Sequence, residues 1–146
     1  MNIQQDFRQA SLHTELPKDV LVLRRFSASE RLSQPFTITI DALAQQGAMN
    51  FVPHLGSPVL IKMHTSLVGG VARCFSGRLF EATFTGAADE GAHYQLLLKP
   101  WFSLLGGNLN LRIFQNMSVK DIFQKLVTEA GFSGASLAGS VSTFLK

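Results

Sequence analysis

The sequence predicts a mainly β chain (β plus minor α): a small antiparallel β-barrel-like domain followed by a short helical segment, the start of a second domain. Three observations carry this. Six or seven short runs with strand character precede Pro100, and tight turns separate them. No long helical pattern alternates with these runs, so a parallel α/β sheet is not expected. After Gly106-Gly107 the apolar spacing lengthens from two residues to about 3.6, the change from strand to helix.

Residues 1–9 read as a flexible lead-in, and the barrel domain as 10–103. In a first strand over 10–16, Leu12, Thr14 and Leu16 share a side. Pro17-Lys18-Asp19 is a turn, proline presetting φ and aspartate bonding its own backbone. The run 20–26 is a second strand whose first four residues are apolar on both faces, which implies cover on both sides. The polar stretch 27–34 reads as a connection, with Pro35 holding Gln34 extended. In 36–43 the alternation is clean: Phe36, Ile38, Ile40 and Ala42 face one way, and Thr37, Thr39, Asp41 and Leu43 the other.

The stretch 44–58 is loop-rich, with one helical turn within 48–55 ended by Gly56-Ser57-Pro58. Residues 59–65 return to strand, and Gly69-Gly70 is a hairpin turn, since glycine takes φ > 0 at no steric cost. The run 71–85 is one bent strand or two, with Gly77 marking a bulge or sharp bend. Residues 86–91, with Asp89-Glu90, form an exposed turn, and 92–99 the last strand. Pro100 stops it, and the lone tryptophan, Trp101, is expected to be buried.

The second domain is read as 104–146, cut short, with a helix at about 118–130. Ser118 is the N-cap and Asp121 the N3 residue of a capping box. Val119, Ile122, Phe123, Leu126, Val127 and Ala130 form its apolar stripe, and Gly131 stands where a C′ glycine belongs. Such a stripe implies packing rather than a cofactor site. No element is expected after Phe132.

Hydrophobic residues make up 46% of the 146 and charged residues only 16%. That is below the roughly 25% charged share of a soluble domain, so the core is large or some surface is buried against another molecule. Phenylalanine, at 12 copies, has no polar atom to satisfy and suits dry interfaces. The net charge of +3 is spread along the chain, and Arg24-Arg25 is the only basic doublet, so a nucleic-acid reader is not expected. The single cysteine, Cys74, forms no internal disulfide and reads as a small buried or half-buried thiol. The polar N-terminus has no signal-peptide pattern, and no run of about 18 apolar residues marks a transmembrane helix. The chain is therefore expected to be assembled in the cytoplasm and, if it leaves the cell, to be carried by another machine.

The four histidines, His13, His54, His64 and His93, have no metal-ligand spacing. No Gly-x-Ser-x-Gly elbow and no phosphate-cradling signature is present. No cofactor, metal or catalytic residue is predicted, and the chain does not read as an enzyme. A charge-poor, Phe-rich β domain points to an assembly component.

The stretches Lys99-Pro100-Trp101-Phe102-Ser103-Leu104-Leu105 and Arg112-Ile113-Phe114-Gln115-Asn116-Met117-Ser118-Val119-Lys120-Asp121-Ile122 resemble the N-terminal region of the VgrG spike proteins of type VI secretion systems. Upstream, Asp19 through Glu30, with Arg24, Arg25 and Phe26, fits the same family. So do Leu32-Ser33-Gln34-Pro35-Phe36, Leu55-Gly56-Ser57-Pro58-Val59 and Phe75-Ser76-Gly77-Arg78-Leu79. The match covers about residues 10–131. By this resemblance Arg24, Arg25, Phe26, Phe36, Gly56, Gly77, Pro100, Trp101, Arg112, Phe114 and Gln115 are structural motif positions. It implies a phage-baseplate-hub-like domain that is a homotrimer in the full-length protein, docks on the Hcp tube and baseplate proteins, and is translocated by the type VI machine. The PAAR tip and effectors would be met only through regions absent from this chain, with no nucleic-acid partner and no direct membrane anchoring. Two other readings stay open: a small β-barrel that binds a ligand or oligonucleotide, and an enzyme domain using Cys74.

Overall fold

The computed structural model describes residues 9–44, 48–63, 73–107 and 111–132. Between Gly106 and Gly107 the chain divides into two compact units.

The first unit is built on six antiparallel strands: β1 (Ala10–His13), β2 (Leu21–Arg31), β3 (Gln34–Ala44), β4 (Pro58–Met63), β5 (Arg73–Ala88) and β6 (Gly91–Lys99). They form one sheet in the order β1-β4-β5-β6-β3-β2. The sheet curls into a half-barrel, bringing its edge strands β1 and β2 near each other, although no ladder joins them among the described residues. A 3₁₀ turn, Val52–His54, lies between β3 and β4, and a second, Trp101–Gly107, comes after β6.

Alternation along the strands decides which side chains turn inward. Ile38, Ile40, Ala42 and Ala44 of β3 meet Ala92, Tyr94, Leu96 and Leu98 of β6, and Leu12, Leu21, Leu23, Phe51, Val59, Ile61 and Leu79 complete the core. Each large aliphatic side chain buried this way contributes about 1.5–3 kcal/mol. The both-faces reading of β2 holds: Leu21, Val22 and Leu23 are all buried. Val22 pairs with Leu43, also buried, and both lie outside the inward cluster.

Three expectations are corrected. The polar stretch 27–34 is not a connection. β2 runs on to Arg31, β3 begins at Gln34, and Leu32-Ser33 is a two-residue turn with Ser33 at φ 61°. This arm carries no apolar alternation because both of its faces are exposed, and backbone pairing to β3 holds it. Of the bulge or sharp bend expected at Gly77, the bulge is overturned, since Gly77 pairs in regular register with Val59. The irregularities of β5 lie between Leu79 and Glu81 and between Phe84 and Gly86. At the first of these Phe80 is left exposed and Ala82 packs against the core. The predicted turn 86–91 shrinks to Asp89-Glu90, with Ala88 pairing to Gly91. The predicted Gly69-Gly70 turn lies outside the described residues.

In the second unit the helix α1 (Val119–Glu129) forms as its local signals predict. The Asp121 N–H donates to Ser118 Oγ at 3.2 Å, and the Ser118 N–H donates back to Asp121 Oδ2 at 3.3 Å. At the other end Gly131 takes φ 82°. Its N–H donates to the Thr128 carbonyl and the Phe132 N–H to that of Val127, the bond pair of a Schellman cap.

Candidate functional site

The motif residues fall into three groups. Arg24, Arg25 and Phe26 sit side by side on β2. Arg24 Nη1 hydrogen-bonds His93 Nδ1 at 2.8 Å, reaching across to β6. Arg25 lies opposite Asp41 in the β2–β3 register and donates from Nε and Nη2 to Asp41 Oδ2 at 2.9 and 2.7 Å. The Arg25 side chain is 81% exposed, so this pair orders the surface more than it stabilises the fold. Phe26 is half-buried, its ring 5.2 Å from that of Phe75.

The second group is a clamp. Gly56, at φ +83°, ends the 3₁₀ turn. Its N–H donates to the Leu79 carbonyl at 2.7 Å, the Leu79 N–H donates to Ser57 O at 2.9 Å, and Arg78 Nη1 donates to Gly56 O at 3.3 Å. Gly77 and Phe36 also meet here: a Cβ at Gly77 would lie 3.4 Å from Phe36 Cε2.

The third group lies beyond β6. Pro100 is buried, but Trp101 is only half-buried, which corrects the expectation of a buried ring. It packs edge-to-face on Phe102 at 6.1 Å. Arg112 pairs with Glu129. That offsets an acidic residue at the negative end of α1. Phe114 is half-buried and Gln115 exposed. The Asp121 carboxyl is held below its ordinary range, first by the Ser118 hydroxyl and then by the Ser118 N–H.

Sequence reading did not find the acidic partners Asp41 and Glu129, because neither lies at a spacing that announces its arginine. It also did not find a shallow apolar groove of about 570 Å³ between residues 48–55 and β5. Its floor is an aromatic relay: Phe84 lies 5.6 Å from Tyr94, and Tyr94 lies 4.9 Å from Phe51. The Met49 N–H donates to Tyr94 Oη at 2.7 Å and fixes that ring. Phe80 lies at the irregular pairing between Leu79 and Glu81, and Phe84 follows it opposite Tyr94; an irregularity does not show in a period count. Cys74 is exposed rather than buried. Among the described residues no three His, Cys, Asp or Glu side chains stand grouped as a metal site, and no helix is long and apolar enough to cross a membrane.

Known proteins match this arrangement. The family profile of the phage tail baseplate hub (GPD) matches residues 29–140. The type VI secretion system spike protein VgrG1c of Pseudomonas aeruginosa is 31% identical over 133 residues, 91% of this chain. VgrG1b of the same organism is 29% identical over 133 residues. The chain spans 18% of the length of each of these relatives. Among solved structures, an Escherichia coli protein, c3393, shares the fold with a TM-score of 0.62 at 22% identity, over 88% of this chain and 32% of that one. It is described as a component of the type VI secretion system with structural similarity to the T4 bacteriophage tail proteins gp27 and gp5.

Proposed function

Because the chain belongs to the phage tail baseplate hub (GPD) family, we propose that it is the N-terminal hub region of a type VI secretion spike and works by assembly rather than catalysis. The observation that carries this reading is the family match over residues 29–140. The VgrG relatives support the type VI setting. On this reading the chain forms a homotrimer as part of a longer protein, docks on the Hcp tube and baseplate, and leaves the cell with the machine. The motif residues then have structural roles. Arg25-Asp41 ties the neighbouring strands β2 and β3, Arg24-His93 reaches across β3 from β2 to β6, and the Gly56–Leu79 clamp fixes the loop beside β5.

Electron microscopy of the longer protein that contains this region tests the proposal. Trimeric rings carrying a needle are expected. Dispersed monomers would sink it. Cys74→Ser is expected to leave assembly and secretion unchanged, since nothing in this reading uses the thiol.

A further inference from the structure

Resting on the reading that this region belongs to a longer spike protein, we propose that the apolar face of the second unit is one half of a domain core. In the longer protein a segment that follows residue 146 closes it, packing apolar side chains onto α1 and onto residues 111–117.

The unit leaves the middle of its apolar stripe open. Val119, Phe123 and Leu126 recur at i, i+4 and i+7, one line along the helix, and all three are exposed, Val119 at 81%. Only Val127, to one side of that line, is fully buried on α1. Just before the helix Leu111, Ile113 and Met117 are exposed too, Ile113 at 89%. The ion pair of Arg112 with Glu129 ties this run to the C-terminal end of α1. Ile113, Phe114 and Met117 then line, with Lys125 and Glu129, an open hollow of about 410 Å³. The motif residues Arg112, Phe114 and Gln115 all border it, so they shape a seat for a side chain of the covering segment.

Size argues that this unit does not close its own core. Gly107–Lys146 is near the length, about 40 residues, below which a domain needs a disulfide, a metal or further chain. The only cysteine, Cys74, lies in the other unit, and among the described residues no metal-binding group of side chains exists. Further chain is the remaining route, and the matched relatives have it: this chain spans 18% of the length of each. Charge favours a built-in segment over a separate partner. Arg112 is engaged by Glu129, and Asp121 by the Ser118 cap. Lys120 and Lys125 lie off the exposed line on either side, where they stay in water when the line is covered. The face therefore offers apolar contact with little to steer an encounter, and permanent contacts of that composition resemble a domain core cut in half.

Photo-cross-linking of the longer protein tests this. With p-benzoylphenylalanine placed at Ile113, irradiation is expected to give a product that keeps the mass of one subunit on a denaturing gel. Its fragments should join residue 113 to a peptide beyond residue 146. The same label at Leu111 covers the case in which a bulky group at one position displaces the segment. A product of two subunits' mass, a link to another protein, a link to residues 9–106, or no link from either position overturns the inference. Ile113→Asp gives a second readout. It is expected to leave the urea midpoint of the 146-residue chain in place and to lower that of the longer protein, and equal responses of the two would count against the covering segment. Trimeric rings without the internal link overturn this inference and leave the hub reading standing. The internal link in a longer protein that stays monomeric does the reverse.

Discussion

A β-carbon added at Gly77 would stand 3.0 Å from Leu98 Cβ and 3.2 Å from the Lys99 carbonyl oxygen. Neither neighbour is the far end of a flexible chain, so β5 and β6 would have to part. Alanine in a strand recovers about 0.5–1 kcal/mol of backbone entropy, whereas overpacking of this kind costs about 1–3 kcal/mol. The steric cost wins. Gly77→Ala is expected to lower the urea midpoint at unchanged slope, while Gly106→Ala, with nothing within 4 Å, is expected to leave it in place. Equal midpoints for the two variants would contradict this account. Residue identity was legible in the sequence here, but its physical reason was not. A glycine inside a strand marks either a bulge or a close approach, and only the β4–β5 register distinguishes them. Arg25 and Asp41 illustrate the same limit: both stand in the sequence, but their meeting depends on which β2 residue faces which β3 residue.

At the scale of elements, α1 was fully legible and the β2–β3 hairpin was not. The helix announces itself through neighbours: Ser118, Asp121 and Gly131 act within four residues of the groups they satisfy. The outer arm of the hairpin announces nothing, because a strand exposed on both faces has no alternation to read. The cap leads to a prediction about acid. The folded Asp121 carboxyl is depressed by its Ser118 bonds, so the contribution is full above the unfolded carboxylate pKa and is lost as pH falls through the lower folded value. Helical circular dichroism should therefore decline in acid. Ser118→Ala removes the hydroxyl bond, the larger cause of the depression, and keeps the backbone N–H, so its helical signal should begin to fall at higher pH. At neutral pH that variant should cost about 0.5–2 kcal/mol of helix stability. An unshifted acid limb would separate Asp121 from the cap.

Across the whole molecule, the buried apolar cluster draws all its members from residues between Leu12 and Leu98. The boundary between the two units falls at Gly106/Gly107. In the second unit Leu111, Ile113 and Val119 are exposed, and α1 has one fully buried residue, Val127. The mainly β class and the family were legible because strand runs and dispersed motifs survive without knowledge of register. The groove beside β5 was not legible, because it depends on a pairing irregularity and on exposure. If the half-barrel holds its own core, it should fold without the second unit. A chain ending at Gly106 is expected to keep the β-sheet spectrum and a single cooperative urea transition, with a slope reduced in proportion to the surface removed. A broad transition, or binding of a dye that seeks exposed apolar surface, would show instead that residues after Gly106 are needed to close the core. The two outcomes assign the exposed apolar residues of the second unit differently. In the first they belong to a surface that the half-barrel does not need, and in the second folding of the half-barrel depends on the chain after Gly106.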